Sequence, residues 1–395
     1  MPSQPPSQHT PREALLQFGH VLQQELFPRL EEALSAPLEG RLALLVAVLS
    51  LVPVARMLQL PKGRGRRARD RAALATAFIA KAVLNLETTR DLIRRLAVDS
   101  ALRRLCGWHK KGLPHESKFS RAFSEFARTE LPQRLHQAVI ETTQKGRLIG
   151  HIARDATAIA ARERFPESPQ QMRERPRKEA KKPKPKKGHH PRKKASERGT
   201  RIQRQRRQED VTAMLAELTR ECGLGVKTSS QGHRQYWRGY KLHLDVADGQ
   251  IPITAILTGA SVHDSQVAVP LMRLTSQRVT YCYDLMDAAY DADELLAESR
   301  SLNHVPIVGR NARRGSRGTT ECPKAFPAKA APALDWAQQE RYKLRTMSER
   351  VNARLKDEFG AGQIRVRGHA KVMAHLMFGV LALTVDQWLR MGRRE

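Results

Sequence analysis

The sequence predicts an α/β fold: a mixed sheet flanked by helices, preceded by an all-α N-terminal region. Three observations carry that prediction. Apolar residues recur at helical spacing from Pro11 to Lys145, broken at Lys62–Arg69. From Leu148 to Val308, β-rich runs alternate with helical ones in the order βββαβαβ. A length of 395 residues allows two or three domains and at least one substantial core.

Charge narrows the function before any motif does. Lys and Arg number 70 against 40 Asp and Glu, a formal balance of +30, which calls for a polyanionic partner and argues against a plain metabolic enzyme. The cysteines, at 106, 222, 282 and 322, form neither a close pair nor a dense framework, which argues against a disulfide scaffold and a zinc ribbon and fits a reducing cytoplasm. The longest apolar run, Leu42 to Val52, is about half of the roughly 20 residues that a bilayer helix needs. About 40 mostly polar residues precede it, unlike a signal peptide. No membrane partner is expected, and nucleic acid becomes the leading one.

Taken in order, residues 1–11 hold four prolines and read as a loose tail. Helical spacing then runs to Leu60, and Lys62-Gly-Arg-Gly-Arg-Arg-Ala-Arg69 reads as an exposed basic joint. A second helical block covers about Asp70 to Lys145. In it Phe119, Phe123 and Phe126 form a core stripe behind Ser117 as N-cap, with Lys118, Arg121 and Arg128 off the stripe and suited to DNA phosphates. A strand starts at Leu148 and is expected to end at Asp155. Residues 173–207 carry 17 Lys/Arg against three Glu, with too little apolar surface to offset the ordering entropy of the backbone. That segment is expected to be a disordered loop, or a charged helix that orders on a polyanion.

Strand signals then return. Tyr240 to Val246 and Ile251 to Leu257 flank Asp248-Gly249, which predicts an antiparallel hairpin. Asp264 is expected to cap a helix over Ser265 to Leu274. A strand over Val279 to Leu285, a helix over Ala292 to Leu302 and a strand over Val305 to Val308 complete the layer. Asp335 with Gln338 resembles a capping box opening one long helix from Trp336 to Phe359, stopped by Gly360. A basic extended connection, Ile364 to Gly368, leads to a closing helix from about Ala370 to Met391.

At about 100° per residue, Tyr342, Arg345, Glu349 and Lys356 share one narrow stripe of that long helix, opposite Leu344, Met347, Val351 and Leu355. A solvated polar face explains the periodicity equally well. What favours chemistry is the company of two strand-end acids, Asp155 and Asp287. Two unit charges about 4 Å apart repel by about 4 kcal/mol at an effective dielectric near 20, so a converging acidic trio calls for a cation. All-oxygen ligation suits Mg²⁺ or Mn²⁺, and two such ions can drive in-line phosphoryl transfer while Arg345 and Lys356 hold phosphates.

The spacing Tyr342-(2)-Arg345-(3)-Glu349-(6)-Lys356 resembles the hallmark of one group of DDE transposases of bacterial insertion sequences. Other blocks look similar: His151-Ile-Ala-Arg-Asp155-Ala-Thr157, Gly239-Tyr-Lys-Leu-His243 with Val262-His-Asp-Ser265, and Asp287-Ala-Ala-Tyr290-Asp291. Ala156 and Ala289 stand where that group often has Ser and Gly. The resemblance covers roughly residues 70–385 and implies an RNase H-like core. It also implies an acidic metal-binding triad of Asp155, Asp287 and Glu349, with Tyr342, Arg345 and Lys356 positioning DNA. Asp284 and Asp291 are the rivals of Asp287.

Weaker candidates remain open. His263 and Asp264 could touch the site, His189-His190 reads as solvated, and Tyr236 and Trp237 beside Arg234 and Arg238 suit either base stacking or strand packing. The expected domains are 1–61, a tail and helical segment; 62–146, a helical DNA-binding domain; 147–362, the catalytic domain with its 173–207 insertion; and 363–395, a C-terminal helix. The protein so implied is a transposase with double-stranded DNA as partner, two Mg²⁺ or Mn²⁺ ions as cofactors, a homodimer at the joining step, and a cytoplasmic, nucleoid-associated location. An RNase H-like nuclease without strand joining and a non-catalytic DNA-binding relic are the alternatives.

Overall fold

Local sequence rules set the helical half of the chain. A computed structural model describes residues 40–58, 70–108, 112–163, 199–228, 233–309 and 334–392. The N-terminal tail, the basic joint at 62–69, most of the basic run with His189-His190, and Cys322 lie outside the described residues. Helix α1 (Gly40–Leu51) stops before Pro53, and a single turn, α2 (Val54–Met57), follows. Five more helices complete the block: α3 (Arg71–Val83), α4 (Thr89–Val98), α5 (Ser100–Leu105), α6 (Glu116–Arg128) and α7 (Leu131–Gln144). Helix α4 opens on a reciprocal Thr88 and Asp91 capping box. The expected Ser117 cap is corrected: the His115 ring accepts from the Ser117 N–H, and α6 starts at Glu116.

The phenylalanine stripe is core. Phe119, Phe123 and Phe126 surround Phe78 of α3 at centroid separations of 6.3, 4.9 and 6.3 Å. Lys118, Arg121 and Arg128 are exposed on the same helix, so the two faces separate as helical periodicity requires.

The sheet is built from β1 (Leu148–Ala160), β2 (Gly223–Thr228), β3 (Arg234–Ala247), β4 (Ile251–Gly259), β5 (Thr280–Met286) and β6 (Val305–Val308). Helices α8 (Arg201–Arg207) and α9 (Val211–Ala216) precede β2, while α10 (Ala268–Arg278) and α11 (Asp293–Ser301) flank β5. Strand order is β2-β3-β1-β5-β6, with β4 also paired to β3. Strand β1 is antiparallel to β3 and parallel to β5, which makes the sheet mixed. The hairpin turns at Asp248 and Gly249, and the Asp248 carboxylate accepts from the His151 N–H at 2.8 Å.

Two strand expectations are corrected. Strand β1 continues past Asp155 to Ala160, because the antiparallel pairing with β3 runs on from Asp155 opposite Leu244 to Ala160 opposite Gly239. Strand β2 is an addition that the turn-like glycines 223 and 225 concealed; Gly225 leaves room for the Trp237 ring on the neighbouring strand. The expected 173–207 insertion is shorter at its C-terminal end. A Thr200 and Gln203 capping box starts α8, which docks through Gln203 on Glu294, Gln205 on the Gln266 carbonyl and Arg206 on Glu298.

Two helices close the chain's core: α13 (Thr346–Glu358), after the short α12 (Trp336–Lys343), and α14 (His369–Gly392). The expected single helix from Trp336 is therefore broken at Leu344 and Arg345. The hydrogen bonds tighten there to i+3 spacing, Arg345 N to Tyr342 O and Met347 N to Leu344 O, while the Thr346 and Ser348 hydroxyls donate to the Lys343 and Arg345 carbonyls. Leu344 consequently turns outward, 43% exposed, while Met347, Val351 and Leu355 stay buried. Helix α14 is long and apolar enough to cross a membrane, but 72% of its apolar window is buried inside the protein. It is the central core helix: one hydrophobic cluster joins it to α1, α3, α6, α7, α13 and the sheet, and Phe378 stacks on Phe78 at 6.1 Å.

A buried histidine in this core makes stability depend on pH. His136 on α7 is fully buried, with Nε2 3.0 Å from the Pro252 carbonyl. Desolvation, helped by the Arg278 charge, pushes its imidazole from the ordinary 6.5 down to about 3. Below pH 6.5 the unfolded chain takes up a proton that the folded protein refuses, so this contribution is complete above 6.5 and lost on acidification at about 1.4 kcal/mol per pH unit. His136→Gln keeps an amide donor for Pro252 without the titration. Denaturant unfolding at pH 6.5 and 5 should show wild type losing about 2 kcal/mol more than the variant; parallel losses would reject the assignment.

Candidate active site

Register between adjacent parallel strands brings two aspartates together. The last pair between β1 and β5 is Arg154 with Met286, so the next residues, Asp155 and Asp287, sit side by side. Side chains alternate across a sheet, so Arg154 points to the opposite face. There its guanidinium, wholly buried, lies 2.7 Å from Asp245 of β3 and 3.2 Å from Asp284 of β5. Thr275 donates to Asp245 at 2.7 Å; Tyr281 and Ser299 donate to Asp284 at 3.1 and 2.6 Å. Asp284 is thus occupied under the sheet and is no rival of Asp287 at the site. Asp291 follows the short turn Ala288–Tyr290.

Helix α13 closes over the pair. Asn352 donates to Asp155 Oδ2 at 3.2 Å, and Glu349 lies one turn earlier on the same helix. Glu349 Oε1 is 2.7 Å from Arg345 Nη2, and its side chain is half exposed. Arg345 lies 5.8 Å from the Tyr342 ring centroid, and its charge reaches both Asp155 and Asp287. Among the described residues, no three His, Cys, Asp or Glu side chains stand close enough to hold a metal by themselves. The structure pairs Asp155 with Asp287 and turns Glu349 to Arg345.

The electrostatics follow from burial. Desolvation pushes the Asp155 carboxyl up to about 6, opposed by the Ala156 N–H and then reinforced by Asp287. Asp287 is raised for the same first reason, although its Oδ1 accepts from the Ala289 N–H at 2.9 Å. Tyr342 rests its hydroxyl against Gly309, just after β6, where any Cβ would collide with it. Lys356 lies further along α13, its ammonium pushed down by burial and then by Lys227 of β2.

Three features escaped the sequence reading or were misassigned. Asp264 is not a helix cap: the His263 ring accepts from Ser265, and Asp264 takes Lys241 Nζ at 2.9 Å while its charge acts on Asp155 and Asp287. The Asn352 contact was legible as one helical turn beyond Glu349. The Arg154 cluster was not, since an arginine in a strand carries no signal of burial. Trp237 packs, its Nε1 donating to the Tyr240 carbonyl, whereas Tyr236 is 59% exposed.

Hard carboxylate oxygens, drawn together with one carboxyl strained upward by burial and a like charge, fit a divalent cation better than a soft metal. A mixed sheet of this order, antiparallel on one side of β1 and parallel on the other, with its acids beneath a helix, is the RNase H-like arrangement. The chain belongs to the transposase DDE domain family, whose model matches residues 146–385, more than half of its length. A second model, a transposase domain (DUF772), matches residues 33–125. No curated protein and no solved structure matches the chain. It is therefore an enzyme of metal-dependent DNA transposition, with DNA as its partner.

Proposed function

We propose that this transposase binds the terminal inverted repeats of its own element, cleaves there, and joins the freed 3′-hydroxyl to target DNA. The observation that carries the reading is the meeting of Asp155 and Asp287 on neighbouring strands beneath the helix that bears Arg345, Glu349 and Lys356. Asp155, Asp287 and Glu349 would hold two Mg²⁺ or Mn²⁺ ions. Bound there, such ions supply water activation and stabilise the leaving oxygen of an in-line displacement. Arg345 holds Glu349 at 2.7 Å while its charge acts on the acid pair, and its fork suits two phosphate oxygens. Lys356 and Tyr342 flank the path of the DNA.

Joining two element ends implies two copies of the chain, hence a homodimer at that step, in the cytoplasm where the DNA lies. The exposed Lys118, Arg121 and Arg128 support the reading of 62–146 as the DNA-binding part. The test uses purified protein, Mg²⁺ and labelled element-end DNA. Joined products are expected. Nicks without joining would replace the reading with a nuclease, and a salt-sensitive mobility shift alone would leave only a DNA binder.

The basic run adds a prediction. Residues 173–198 carry 13 Lys/Arg, while 199–207 belong to the fold and must be kept. Deleting 173–198 should flatten the dependence of log K on log salt by about 0.9 for each phosphate contact removed. An unchanged slope in a salt titration of binding would mean that the run does not touch DNA.

A further inference from the structure

One buried hydroxyl near the acids has no hydrogen-bond partner among the described residues. Tyr290, at the end of the turn after β5, is 1% exposed, with its ring packed among Met214, Val269, Met286 and Leu295. Its hydroxyl oxygen is buried and meets no hydrogen-bond partner among the described residues. Such a group costs about as much as a lost hydrogen bond, and exceptions in native proteins call for a specific reason. The reason lies alongside. The turn Ala288–Tyr290 packs against the turn Asp264–Gln266, and after burial itself the charges of Asp264 and Asp155 act most strongly on the phenol, each raising its pKa.

We infer that Tyr290 is a positioning residue of the acid site, donating its hydroxyl to Asp264 when a divalent cation is bound. Lys241 already holds Asp264 Oδ1 at 2.9 Å and is itself tied to the Val262 carbonyl at 3.0 Å. Tyr290 completes that grip from the buried side. Asp264 then stands as an outer carboxylate whose fixed place orients Asp155 and Asp287. A phenol, unlike a carboxyl, stays protonated across neutral pH, so it offers a constant donor. The inference rests on the reading of Asp155 and Asp287 as cation ligands.

Tyr290→Phe removes only the hydroxyl and keeps the ring in its apolar surroundings. Calorimetric titration of the full chain with Mn²⁺ should show binding weakened about tenfold, the scale usual for partners that orient metal ligands. The metal-free melting temperature should hold or rise, because an unpaired buried hydroxyl is lost. In an Asp264→Asn background the same change should add less than about threefold, since residues acting through one another are not additive. Wild-type Mn²⁺ affinity in Tyr290→Phe, or a full tenfold loss on top of Asp264→Asn, would overturn the inference. Asp155→Asn separates the two readings: if it binds Mn²⁺ as wild type does, the site assignment itself fails.

Discussion

Asp287→Asn should lower DNA cleavage about a thousandfold or more while leaving affinity for element-end DNA unchanged. Asparagine has the same shape, and its Oδ1 can still accept from the Ala289 N–H, so the turn after β5 keeps its cap. What disappears is one negative charge beside Asp155. That loss relieves repulsion in the metal-free protein, so folding should not suffer. Cation catalysis supplies several kcal/mol, and about 4 kcal/mol corresponds to three powers of ten in rate. DNA affinity comes from the basic surface instead, which the substitution does not touch. Cleavage assays paired with mobility shifts check both halves. Wild-type cleavage would move the role away from Asp287, with Asp291 the next acid along the chain.

Arg154→Met should cost the fold about 3–5 kcal/mol, a large share of the roughly 5–15 kcal/mol by which a domain is stable. Its guanidinium lies between two wholly buried carboxylates, Asp245 and Asp284. Removing it leaves both charges desolvated with only hydroxyl donors, which is far worse than never having buried them. The triple variant Arg154→Met, Asp245→Leu, Asp284→Leu should recover most of the loss, because well-packed apolar groups commonly match a buried ion cluster. Thermal melts of both variants decide the matter. A single variant that melts with wild type would show that the cluster carries no stability.

That cluster also bears on the site above it. Arg154 faces Asp245 on one neighbouring strand and Met286 on the other, so it ties β3, β1 and β5 in one register. A slip of one residue would carry Asp155 to the opposite face of the sheet and away from Asp287. Specificity of register is a better account of a buried ion cluster than added stability, given the cost of desolvating three charges.

How much was legible in the chain depends on the range of the cause. The Asp335 and Asp248-Gly249 signals are local, and each formed as expected, because a cap or a hairpin turn is settled within a few residues. Ser117 and Asp264 failed as caps for the same kind of reason seen from outside: His115 and His263 were one or two residues earlier with rings able to accept, and Lys241 from another strand claimed Asp264. The break at Leu344 and Arg345 was hidden, since no Pro or Gly marks it and the hydroxyls of Thr346 and Ser348 act only once the helix docks.

By itself the sequence determined most of the element types, the partner's negative charge and the four-residue spacing from Tyr342 to Lys356, because composition and periodicity are properties of neighbouring residues. Only the tertiary structure decided that Asp155 lies beside Asp287, that Asp284 is turned under the sheet to Arg154, and that Asn352 reaches Asp155. Those facts depend on strand register and on helix docking, which join residues more than a hundred positions apart and leave no local trace in the chain.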